Sequence, residues 1–277
     1  MGDYTTTTLL FAFMLTLGAG LSTGIGSAIA FFTRKTNAKF LSIALGFSAG
    51  VMIYLSFVEI FPKAQESLAE TMSESASYTF TTIAFFVGIF ITMAIDRLVP
   101  DVANPHEARD VSDLREQDID LSDKAYAKSL MRMGLFTALA IGIHNFPEGL
   151  ATFMSALENP TLGISIAVAV AIHNIPEGVA VSVPIFYATG SRRKAFIYSF
   201  LSGISEPLGA ILGFFILQSF MTDRTFGYIF AAVGGVMIYI ALDELLPTAE
   251  KYGRHHLVIY GVISGMAIMA LSLIFFA

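Results

Sequence analysis

Residues His144-Asn145-Phe146-Pro147-Glu148-Gly149 and His173-Asn174-Ile175-Pro176-Glu177-Gly178 spell one phrase, His-Asn-x-Pro-Glu-Gly, twice, 29 positions apart. Two of the five histidines of the chain are used here, inside long apolar runs. On a helix, His and Glu four apart share a face, with Asn about a third of a turn away. Each copy therefore presents an imidazole, an amide and a carboxylate along one edge. An ionised side chain at mid-bilayer costs about 2.5–3.5 kcal/mol on insertion scales, so two glutamates beside two histidines need a compensating partner. A divalent cation supplies one. Neutral imidazole with carboxylate suits Zn2+ and Fe2+ better than Ca2+ or Mg2+, which favour all-oxygen shells.

Glu206, in Ser205-Glu206-Pro207, is a third carboxylate within an apolar stretch. With Asn145, Asn174 and the far oxygens of Glu148 and Glu177 it would complete an adjoining second site, in the bridging-carboxylate manner of two-metal centres. Two readings stand for the amides: cation ligands, or hydrogen bonders between helices. Pro147 and Pro176 free the carbonyls of Ile143 and Ile172, which at membrane depth is tolerated where they line a cavity. Gly149 and Gly178 are expected to let the two motif helices approach one another. Thr137, His144, Glu148, Thr152 and Ser155 form a polar stripe on one helical face, so this helix is expected to line a path.

The elements that carry these residues follow from composition. The chain of 277 residues is 55% hydrophobic and only 14% charged, with net charge −6; soluble domains usually carry about 25% charged residues. These values point to an all-α polytopic membrane protein. Apolar runs long enough to cross a bilayer fall at about 6–32, 40–61, 79–99, 131–157, 161–188, 194–219, 226–247 and 256–276, which predicts eight transmembrane helices in a single domain, 1–277. All of the 16 Lys and Arg except Lys63 and Arg224 fall in or beside the loops after helices 1, 3, 5 and 7. The positive-inside rule then places both termini outside. The acid-rich stretch 100–128 reads as a flexible cytoplasmic linker, in which His106 is the only histidine. There is no cysteine, so thiolate ligation is excluded, and the acidic balance argues against nucleic acid as a partner.

Gly50-Val51-Met52-Ile53-Tyr54 through Glu59 and Pro62 matches Gly235-Val236-Met237-Ile238-Tyr239 through Glu244 and Pro247 at a constant offset of 185. A weaker echo at offset 183 aligns Ser22-Thr23 and Gly26 with Ser205-Glu206 and Gly209. Three helices, a central pair and three more helices of opposite direction make an inverted 3+2+3 repeat, which places a site near the midplane. Glu59 and Glu244, with Asp243 beside the latter, have two readings: path carboxylates at the outer and inner mouths, or interfacial charges. Met52 is either a thioether ligand above the site or ordinary packing.

With these residues and motifs together, the chain resembles the ZIP (Zrt/Irt-like) family of metal-ion transporters over essentially its whole length, and most of all its bacterial zinc-uptake members. The resemblance implies a two-metal site halfway through the membrane. His144, Glu148, His173 and Glu177, with Met52 nearby, would form the first site; Asn145, Glu148, Asn174, Glu177 and Glu206 would form the second. Asp243-Glu244 would be the cytoplasmic exit segment. It further implies transport of Zn2+, Fe2+, Mn2+ or Cd2+ toward the cytosol, a multi-pass position in the cell inner (cytoplasmic) membrane, a homodimer, and no prosthetic group. Many members carry a His-rich linker between helices 3 and 4; this one does not, which argues against metal sensing by the loop. The expected function is divalent metal uptake, zinc first, by movement of the outer repeats against the helix 4–5 pair. One rival is an intramembrane zinc-dependent hydrolase, but its usual sign, His-Glu-x-x-His, is missing. A metal-sensing receptor, the other rival, has no need of an inverted repeat.

Overall fold

The computed structural model describes residues 4–32, 38–98, 124–217, 222–253 and 255–276. The described residues form eight long helices: α1 (Thr6–Phe32), α2 (Ala38–Leu55, Ser56–Ile60 and Phe61–Ala69 in one run), α3 (Glu74–Leu98), α4 (Lys124–Glu158), α5 (Pro160–Thr189), α6 (Arg192–Leu217), α7 (Asp223–Ile240, Ala241–Leu245 and Leu246–Tyr252 in one run) and α8 (His255–Phe276). The protein is thus an all-α polytopic membrane protein. Among the described residues, seven of the helices are long and apolar enough to cross a bilayer. The exception is α4, where His144, Asn145, Pro147 and Glu148 dilute the apolar run; at 35 residues it is still about 50 Å long. The acidic stretch lies outside the described residues as far as position 123, and the last part of the expected linker is already helical from Lys124.

Local chemistry fixes the central hairpin. The side chain of Asn159 accepts from the backbone N–H groups of Thr161 and Leu162 at 2.9 and 3.3 Å, and Pro160 occupies the first turn of α5, where no N–H is required. At the far end Gly190, φ 63°, ends α5 in the left-handed conformation that glycine adopts without a Cβ penalty. Burial covers 72% of the most apolar stretch of α5 but only 22% for α3 and α8, so α5 is interior and the other two face lipid.

The helices pack as two groups. α1, α4, α5 and α6 pack on one another, as do α2, α3, α7 and α8; α2 against α5 is the main seam between the groups. The unit around the motif pair therefore includes α1 and α6, a larger body than the helix 4–5 pair against which the outer repeats are expected to move.

Ten glycine contacts come in matched pairs. A Cβ on Gly26 would lie 1.9 Å from the Ile175 carbonyl oxygen, and one on Gly209 would lie 1.9 Å from that of Phe146. Gly178 meets Thr23 O at 2.0 Å as Gly149 meets Glu206 O at 2.1 Å; Gly50 meets Val262 O at 2.1 Å as Gly235 meets Phe85 O at 2.0 Å. Gly265 on Phe47 O matches Gly88 on Ala232 O, and Gly20 and Gly203 each meet the other's carbonyl. Every match follows from exchanging α1 with α6, α2 with α7, α3 with α8 and α4 with α5. Gly149 and Gly178 thus seat α4 on α6 and α5 on α1, and not α4 on α5 as their position in the motif suggested; the α4–α5 approach is made by Gly163 against Ala156 and Gly134 against Ile185.

The exchange also pairs two π-helical turns, Ser56–Ile60 and Ala241–Leu245. Each ends one residue before a segment whose second residue is a proline, Pro62 or Pro247. A proline ring clashes with the carbonyl four residues back, and a wider turn there relieves it. Single π turns are frequent at functional positions, and these two carry Glu59 and Asp243-Glu244.

Candidate metal centre

Pro147 and Pro176 lie inside α4 and α5 without ending either helix. Around them Asn145, Glu148, His173, Asn174, Glu177 and Glu206 are all buried, none more than 2% exposed. The side chain of His144 lies outside the described ones. α4 and α5 meet through Glu148 and His173, with Oε1 3.0 Å from Nε2. At that distance each side chain satisfies part of the other's need for a polar partner in a buried setting.

The two asparagines donate between helices. Asn145 Nδ2 reaches the Ser202 carbonyl of α6 at 3.4 Å, and Asn174 Nδ2 reaches the Ala19 carbonyl of α1 at 3.0 Å. These are one interaction repeated, since Asn145 and Asn174 exchange with α4 and α5 as Ser202 and Ala19 do with α6 and α1. Asn174 also donates to Glu206 Oε1, which fixes that carboxylate against α5. The bonding role of both amides is therefore present, and it leaves their oxygens for other work.

Within this cluster the amide and carboxylate oxygens Asn145 Oδ1, Asn174 Oδ1, Glu148 Oε2 and Glu206 Oε2 have no hydrogen-bond donor among the described residues. An unsatisfied buried acceptor costs about 1–3 kcal/mol, more when charged. Amide and carboxylate oxygens with one imidazole nearby are a donor set for a hydrated borderline divalent cation. No three described His, Asp or Glu side chains close into a finished cage. They are engaged in twos instead, Glu148 with His173, Glu206 with Asn174, and Glu177 with Ser48 of α2, whose hydroxyl is 3.4 Å away.

The other expected residues take no part in these three pairings. Met52 is fully buried in the main apolar core of α2, surroundings that suit packing. Glu59 is half-buried and Glu244 buried, each in its π turn. Asp243 is half-buried near Tyr239, whose hydroxyl donates to Asp96 Oδ2 at 3.4 Å. Two residues of the centre had no role in the sequence reading. Ser48 carries no motif. Thr23, fully buried, occupies the place on α1 that Glu206 holds on α6, and its hydroxyl has no partner among the described residues. The offset of 183 already aligned Thr23 with Glu206, and that alignment is the signal that could have found it.

A helical bundle that buries three carboxylates, a histidine and two asparagines beside prolines inside its helices is a polytopic membrane protein with a polar interior. The family model described as ZIP Zinc transporter matches residues 4–273, and the chain belongs to that family. It is 61% identical over 268 residues to Zinc transporter ZupT of Chlorobaculum parvum, covering 97% of this chain and 98% of that protein. Zinc transporter ZupT of Clostridium perfringens is 58% identical over 279 residues (97% and 96% covered), and that of Nitratidesulfovibrio vulgaris 60% over 270 residues (97% and 98%). Membership of a transporter family removes the hydrolase reading.

Proposed function

We propose that this protein carries zinc into the cytoplasm across the cell inner membrane, with iron, manganese and cadmium as further cargo. The observation that carries the reading is the buried cluster on α4, α5 and α6, where amide and carboxylate oxygens lack donors among the described residues beside the Glu148–His173 pair. Glu148, His173, Glu177 and His144 form the first site in this reading. Asn145, Asn174 and Glu206 complete a second that shares the two motif glutamates. Glu59 and Glu244 line the approaches at the two faces, Asp243 lies beside the inner one, and Met52 borders the path. The eight helices make an inverted repeat with both termini outside, and two copies of the chain associate. The matched glycine contacts and the paired π turns support that architecture. The body that moves is α1, α4, α5 and α6 together, because those helices pack on one another more extensively than on the rest.

Purified protein in liposomes containing a zinc-sensitive dye tests the proposal. Zinc should accumulate above the background of empty vesicles, and unlabelled Fe2+, Mn2+ or Cd2+ in excess should slow it. Zinc binding without accumulation would favour a receptor. Imidazole and carboxylate must be deprotonated to bind a metal, so acid on the loading face should weaken uptake. The initial rate at subsaturating zinc is expected to fall as pH drops through the His and Glu range. A rate unchanged across that range would count against these ligands.

A further inference from the structure

Ser48 belongs to α2, in the helix group that does not contain the candidate centre, and it is fully buried. Its hydroxyl crosses the seam to α5, 3.3 Å from the His173 carbonyl oxygen and 3.4 Å from Glu177 Oε1. Hydroxyl hydrogen bonds in proteins are commonest at about 2.7–2.8 Å. One proton divided between two acceptors at these longer distances is weakly held by each.

We infer that Ser48 is a positioning residue, which holds the Glu177 carboxylate against the seam and competes with the transported cation for Oε1. The inference rests on Glu177 being a ligand, as proposed above. The second acceptor makes the exchange inexpensive. When Glu177 turns to a cation, the hydroxyl keeps the His173 carbonyl, whose second lone pair remains available beside its helical bond. No buried donor is stranded at either stage. The internal repeat sharpens the case. Ser48 exchanges with Val233 on α7, which has no donor, and Glu177 exchanges with Glu148, which faces His173 instead. The two glutamates of the duplicated motif are thus held by different means: one by an imidazole inside its own helix group, the other by a hydroxyl from across the seam. Loading of a cation at Glu177 then loosens one tie between the two groups, which links occupancy to their separation.

The test is zinc uptake kinetics in proteoliposomes. Ser48→Ala should lower the KM for zinc about 5-fold, the value of one modest hydrogen bond, with no rise in kcat. Ser48→Thr, which keeps the hydroxyl, should restore the parental KM. Ser48→Cys, a weak donor, should shift KM in the same direction by less, and it serves if the alanine variant folds poorly. A KM that is unchanged or raised in Ser48→Ala, or a loss confined to kcat, would overturn the inference and leave Ser48 as packing. Glu177→Gln separates this from the larger reading. If that variant still accumulates zinc, Glu177 is no ligand and the site assignment itself fails. If it does not, and Ser48→Ala leaves KM unmoved, only the role of Ser48 is lost.

Discussion

Glu148→Gln should reduce zinc accumulation in proteoliposomes to the background of empty vesicles, with the helical fold retained. Glutamine keeps the size and hydrogen-bonding reach of the side chain, so the cavity is not collapsed. What disappears is one of two carboxylate oxygens, a group that faces the His173 imidazole at 3.0 Å and whose Oε2 has no donor among the described residues. Loss of a group that merely orients a metal ligand costs about 10–100-fold; in the proposed reading Glu148 is a ligand shared by two sites, and its loss should exceed that. Glu250→Gln is the matched control. Its carboxylate lies 2.8 Å from His255 Nδ1, at 53% and 68% exposure, where even a fully charged pair contributes about 0–1 kcal/mol. Its uptake should equal that of the parent. A Glu148→Gln protein that accumulates zinc at the parental rate would remove Glu148 from the path.

The second large effect concerns the backbone. Gly26→Ala and Gly209→Ala should each lower the thermal unfolding temperature of the protein in detergent steeply and by similar amounts. An added Cβ would stand 1.9 Å from a carbonyl oxygen of the neighbouring helix in both cases. No rotamer relieves that clash, so whole helices must separate, and overpacking of this kind costs about 1–3 kcal/mol or more. Helix propensity alone predicts the opposite sign, since alanine is favoured over glycine by about 1 kcal/mol in a helix interior. Gly18→Ala isolates that term, because nothing lies within 4 Å of the added carbon; it should be neutral or slightly stabilising. Large and equal losses at positions 26 and 209 would show the two halves bearing on the central pair in the same way. A loss at one alone would deny the equivalence.

The helical architecture was legible because apolar runs of bilayer length report themselves through composition. So was the duplicated His-Asn-x-Pro-Glu-Gly phrase, since carboxylates and imidazoles are costly in lipid and occur there for a reason. Sequence reading paired Gly149 and Gly178 with the wrong neighbours because a small residue announces close approach but does not name the helix that approaches. The amides illustrate a different limit. Asn145 and Asn174 carry both donors and acceptors, and only the carbonyls of Ser202 and Ala19 decide which end is used. Ser48 was invisible for a third reason: a serine in an apolar helix has no spacing or partner in the sequence, and its importance comes wholly from what α5 sets opposite it. The seam between the two helix groups was hidden as well, because contacts between helices far apart in the chain leave no mark on local periodicity.

The paired contacts have a thermodynamic corollary. If the two halves of the proposed inverted repeat were identical throughout, swapping their roles would turn one conformer into its two-fold-related counterpart facing the opposite side, and the two would be populated equally. Matched residues such as Gly26 and Gly209 cannot tilt that balance. Only mismatches can, among them Thr23 against Glu206, Ser48 against Val233 and Val58 against Asp243. A difference of about 1.4 kcal/mol among them would set a tenfold resting bias. In the proposed transport cycle such a bias would govern which face waits open, yet it could not drive net movement uphill, which must draw on a gradient outside the chain.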